Sequence, residues 1–119
     1  MRLQPQTVEQ ISIWQTLFAL LSSLPTDTPA ALKIQLCQAT ELFESQILDR
    51  DLDDLPDPIA AKMRSYVTES HRLLRLLPMD VMFIAAARNP NMLQQRRQAY
   101  QAKLDLLLQY CQAVMAVGE

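Results

Sequence analysis

The chain carries a single glycine, Gly118, next to its C-terminal residue. Two-residue hairpin loops of the primed types need positive φ, which glycine adopts without the steric cost other residues bear. A chain with no interior glycine is therefore poorly equipped to build a meander of tight hairpins. Leu, Ala and Gln dominate instead, and all three are good or fair helix formers. Half the residues are apolar but only 6% are aromatic, which suits a helical core better than a sheet. At 119 residues the chain has the length of one domain, able to bury roughly two-thirds of its unfolded surface. No repeat or flexible linker divides it, so residues 1–119 read as one unit.

Apolar periodicity marks out four helices. Thr7 and Gln10 form a capping-box pattern that starts the first, which ends before Pro25 with Ile11, Trp14, Phe18 and Leu21 as its inner seam. Thr28 followed by Pro29 starts the second by a cap-then-proline device. Its stripe is Leu32, Leu36, Ala39, Phe43 and Ile47. The stretch 49–58, with five aspartates and two prolines, is the longest loop. Asp57 and Pro58 then restart a helix with Ile59, Met63, Val67, Ser70, Leu74 and Leu77 facing inward. Pro78 lies inside this third helix, where a missing N–H and a clash with the preceding turn predict a kink or a short break. The fourth helix runs from about Asn91 to Val117 on a heptad seam of Leu93, Arg97, Tyr100, Leu104, Leu107, Cys111 and Val114. Short links between comparable helices predict an all-α, antiparallel up-and-down four-helix bundle.

Catalytic and cofactor chemistry finds no foothold. Without interior glycine there is no phosphate-cradling loop or dinucleotide fingerprint. Asp49, Asp51 and Asp53 match the first acidic positions of a calcium loop, but Asp54 replaces the turn glycine and Ala60 the bidentate glutamate. A zinc site from His71, Cys37 and Cys111 would need three helices to converge without one local ligand pair. No nucleophile stands in a recognisable setting beside His71, and Glu41, Glu44 and Glu69 read as helix-surface charge. The expectation is a protein that is not an enzyme and holds no metal or cofactor.

Cys37 and Cys111, far apart and without C-x-x-C spacing, read as reduced, small core hydrophobes. The N-terminal apolar stretch is interrupted by Gln10, Ser12 and Gln15, and no uncharged run reaches the ~18 residues of a membrane span. A cytoplasmic protein without membrane attachment is expected.

Charge is unevenly spread beneath a net −2. Glu41 to Asp57 holds seven acids against Arg50, whereas Lys62 to Lys103 holds eight bases against Glu69 and Asp80. Inside the basic half, residues 81–87 are consecutively apolar and cannot all face one core from a helix. Some of that face is covered by another segment or offered to a partner. Arg88, Arg96, Arg97 and Lys103 flank Phe83 there, and arginine with aromatic and methionine side chains is what interface centres favour.

The segment Leu76 to Met115 resembles the family of the cyanobacterial heterocyst frequency control protein PatD. The resemblance is carried by Asp80-Val81-Met82-Phe83, Ala87-Arg88, the Pro90 break, the Gln/Arg-rich start of the last helix, and Leu108-Gln109-Tyr110-Cys111. It covers about a third of the chain. It implies a small cytoplasmic regulator that interacts with the tubulin-like division protein FtsZ, promotes its assembly, and in filamentous species limits heterocyst frequency. Asp80, Phe83, Arg88, Arg96 and Arg97 are the partner-binding candidates. Two other readings fit the same segment: a homodimeric helical scaffold pairing through 81–87, and a weak nucleic-acid-binding domain using 62–103, against which the acidic total charge argues.

Overall fold

Helix ends in this chain are built from side-chain caps and N-terminal prolines. The computed structural model describes residues 5–24, 28–48 and 57–117, with side chains from Glu9 onward. It contains α1 (Pro5–Ser22), α2 (Pro29–Gln46), α3 (Asp57–Ala86) and α4 (Pro90–Val117). Thr28 Oγ1 accepts from Ala31 N at 3.2 Å and Pro29 occupies the first turn of α2, where its missing N–H leaves nothing unsatisfied. Asn89 repeats the device, its Oδ1 accepting from Met92 N at 2.8 Å, ahead of Pro90. Asp57 lies in the first turn of α3, favourably placed for the helix dipole. No described residue adopts positive φ. The α3–α4 link, residues 87–89, is thus made without the conformations that the chain lacks glycine to supply.

One start differs from the one the sequence predicts: α1 begins at Pro5, so Thr7 lies inside the helix and is not its cap. α4 begins at Pro90, one residue from the expected start, with Asn89 as its cap. α3 runs continuously through Pro78, so the chain does not break there. Packing of Leu74, Leu77 and Val81 into the core on either side of the proline holds the two halves in one helix. The acidic stretch 49–56, and with it most of the calcium-like pattern, lies outside the described residues; its twelfth position, Ala60, is buried in α3.

The helices form an antiparallel four-helix bundle measuring 53 × 22 × 22 Å. α1 packs on α2 and α4, α3 packs on α2 and α4, and the diagonal pairs do not meet among the described residues. Direction follows from the partners. Leu20 O accepts from Gln35 Nε2 while Trp14 meets Phe43 further along, so α1 and α2 run oppositely. Tyr66 meets Tyr110, Asp80 meets Lys103 and Phe83 meets Arg96, so α3 and α4 do too.

The core holds Trp14, Leu17, Leu21, Leu36, Phe43, Met63, Leu73, Leu74, Leu77, Leu107 and Val114, all essentially inaccessible. Each such side chain contributes about 1.5–3 kcal/mol through burial. Trp14 and Phe43 meet in a T-shaped pair at 5.6 Å between centroids, and His71 stacks on Phe43 at 5.7 Å. His71 is thereby a boundary residue packed on the core. The predicted seams hold at Ile11, Trp14, Leu21, Leu36, Ala39, Phe43, Ile47, Met63, Ser70, Leu74 and Leu77, while Phe18, Leu32, Ile59 and Val67 are only half-buried. Cys111 is in the core but Cys37 is exposed, because it faces outward on α2 one turn before Glu41, with Sγ and Oε1 3.9 Å apart.

Candidate functional site

Burial stops abruptly along the α3–α4 hairpin. Val81 is the last buried residue of α3 and Leu104 the first of α4, and no residue from Met82 to Lys103 is buried. The heptad seam of α4 thus packs only in its second half; Leu93 and Tyr100 are half-buried and Arg97 is exposed. Toward the α3–α4 link the seam of α4 is only partly covered by the described residues.

Asp80 and Lys103 stand where the tip meets the body. Lys103 Nζ lies 2.9 Å from Asp80 Oδ2, angled away from a hydrogen bond, so the contact is an ion pair. Asp80 is only 9% exposed. It is therefore not part of a partner-facing surface, contrary to the sequence expectation: its carboxylate is turned inward against α4. Its role is to tie α3 to α4 at the base of the tip.

Beyond that pair lies an apolar stripe. Met79, Met82 and Phe83 are three and four residues apart on α3 and share one face. They are 49%, 58% and 43% exposed. Arg96 of α4 places Cζ 4.7 Å from the Phe83 ring centroid, a cation–π contact. Met92, one turn before Arg96 on α4, is also exposed. Four of the five large hydrophobic residues exposed among the described residues therefore belong to this tip; Ile34 on α2 is the fifth. Arg75, one turn before Met79, and Arg88 in the link are exposed as well. No acid occurs between Asp80 and Asp105.

Of the five candidates, Phe83 and Arg96 touch, and Arg88 is exposed in the adjoining link. Arg97 points elsewhere, to a cavity of about 600 Å³ between the end of the hairpin and the α1–α2 end of the bundle. Buried Leu21, Val81 and Leu104 make its floor, and half-buried Leu24, Leu32, Ile84 and Leu108 its walls. Tyr100 also lines it; burial pushes its phenol up to about 12. Sequence reading missed Met79, Met92 and Arg75. The i, i+4 spacing of Arg75, Met79 and Phe83 is the signal that connects them. The cavity had no such signal, since its lining comes from all four helices.

Other groups do not converge. Glu41 and Glu44 line a shallow depression formed by α2 alone, and Glu69 pairs with Arg72 one turn away at 3.1 Å. The Cys111 thiol is pushed up to about 12 by burial. Among the described residues no group of three or more His, Cys, Asp or Glu side chains is arranged to hold a metal ion. No described helix is long and apolar enough to cross a membrane. Comparison with family models, curated proteins and solved structures gives no match for this chain.

Proposed function

We propose that the chain is a non-enzymatic docking protein whose α3–α4 tip engages a protein partner while the rest of the bundle serves as its scaffold. The observation that carries this reading is the run from Met82 to Lys103, where no residue is buried yet exposed methionines and Phe83 line up beside Arg96. Exposed apolar area of this kind is costly in water unless something covers it, and methionine, aromatic and arginine side chains are enriched where partners do. The basic border and the lack of acid between Asp80 and Asp105 favour a partner surface that offers carboxylates. Self-pairing through this stripe would bring Arg88 and Arg96 toward their own copies, which argues against a two-fold homodimer here.

On the resemblance of Leu76 to Met115 to the PatD family, the partner is FtsZ. The consequence is promotion of FtsZ assembly in the cytoplasm, with effects on cell division and, in filamentous cyanobacteria, on heterocyst frequency. The test is sedimentation of FtsZ polymers with and without this protein. The reading expects more FtsZ in the pellet and this protein with it. Unchanged FtsZ pelleting with this protein left in the supernatant sinks the FtsZ assignment.

A further inference from the structure

The cavity at the α1–α2 end of the bundle combines an apolar interior with an arginine at its mouth. Its floor and walls are aliphatic, as described above. Its rim carries Arg97, Gln101 and Thr28. Among the described residues Arg97 is the one charged residue of the lining, and no carboxylate pairs with it. The N-terminal end of α2 lies at the same rim through Thr28 and Pro29. Thr28 Oγ1 already accepts from Ala31 N, which leaves its hydroxyl proton free to donate. Tyr100 stays protonated to about pH 12 and so offers a neutral donor rather than a repelling charge. A cavity of about 600 Å³ lies within the range of small-molecule sites, which are mostly apolar with a few polar groups at one end.

We propose that this cavity binds an amphiphilic carboxylate, its aliphatic tail lying against Leu21, Val81, Ile84 and Leu104 and its headgroup at Arg97 beside the α2 N-terminus. The guanidinium fork matches a carboxylate in two parallel hydrogen bonds. The tail replaces water over the aliphatic floor, so affinity rises with each methylene buried. The site is separate from the Phe83–Arg96 stripe and does not depend on what binds there.

Titration of the full chain with octanoate, with octan-1-ol and acetate as controls, tests this. Octanoate is expected to bind saturably at one site and at least tenfold more tightly than octan-1-ol. Acetate, lacking the tail, should not bind measurably. Arg97→Gln should weaken octanoate at least tenfold and leave octan-1-ol unchanged, with helix content and melting temperature retained because Arg97 is exposed. Methyl NMR shifts on octanoate addition should map to Leu24, Ile84 and Leu108. Equal affinity for octanoate and octan-1-ol, an Arg97→Gln variant that binds octanoate normally, non-saturating uptake, or shifts outside the cavity would each overturn the proposal.

Discussion

Phe43 and Phe83 are the same side chain under opposite treatment. Phe43 is fully buried, in a T-shaped pair with Trp14 and stacked with His71. Phe83 is 43% exposed, with Arg96 over its ring. Packing accounts for the first. No burial among the described residues accounts for the second, while Leu77, Val81 and Leu104 are buried below it. The body of the bundle is thus an arrangement that stabilises itself. The tip keeps apolar and basic side chains in water and gains little from them in stability.

That contrast can be broken or sharpened by measurement. The largest effect should come from Phe43→Ala, which leaves a cavity between Trp14 and His71 and should cost about 3–5 kcal/mol of unfolding free energy. A loss below about 1 kcal/mol in denaturant titration would mean the body is far looser than described. Alkaline pH should act next, and again on the body. The Cys111 thiol is raised from 9.0 to about 12 by burial, and the Tyr100 phenol from 10.0 to about 12. Both are neutral in the fold and ionise first in the unfolded chain. Their contribution is therefore complete below pH 9 and declines as pH rises from there toward 12. The melting temperature should hold steady from pH 7 to about 8.5 and fall above it, and Cys111→Ala should flatten that fall. Cys111, the more buried of the two, should dominate.

Lys103→Ala would strand the Asp80 carboxylate at the base of the tip, with a cost of about 1–2 kcal/mol and a loss of protection in amide exchange across 80–104. Added salt should not reproduce that loss, because a largely buried pair is weakly screened. Ser70 works in the opposite direction. It is fully buried on α3 and its Oγ has no hydrogen-bond partner. Ser70→Ala should therefore raise stability by up to about 1 kcal/mol, and a decrease would show that the hydroxyl is satisfied after all. Smallest of all, Phe83→Ala should change stability by less than about 1 kcal/mol, the size of an exposed cation–π contact.

Much of the body is legible in the sequence. Phe43 and Leu36 lie on a clean four-three stripe, and Thr28-Pro29 announces a helix start that the fold uses. Asn89-Pro90 is the same signal, but a proline read only as a break hides its capping neighbour. Pro78 shows the limit of the opposite kind of signal. Its chemistry predicts a kink or a short break, and α3 is continuous through it, so the break does not occur. Along the tip, the apolar run 81–87 rightly indicates a face that one core cannot absorb: Val81 is buried, whereas Met82 and Phe83 are not. Which residues beside that run meet a neighbour depends on how the helices register against one another, which spacing along one helix does not give. Asp80 turns inward to Lys103, while Arg97 stays exposed at the mouth of a cavity shared by four helices.

A direct comparison of two exposed apolar positions tests the separation of scaffold from docking tip. Phe83→Ser combined with Arg96→Ser removes the centre of the tip stripe, while Ile34→Ser removes an exposed side chain, 62% accessible, from the body. Both variants should melt close to the parent. In co-sedimentation with FtsZ polymers, the account predicts that the tip variant stays in the supernatant while the Ile34→Ser variant pellets like the parent. Pelleting of the tip variant at the parent's level, alongside loss of binding by Ile34→Ser, would place the interface on the body and contradict the account.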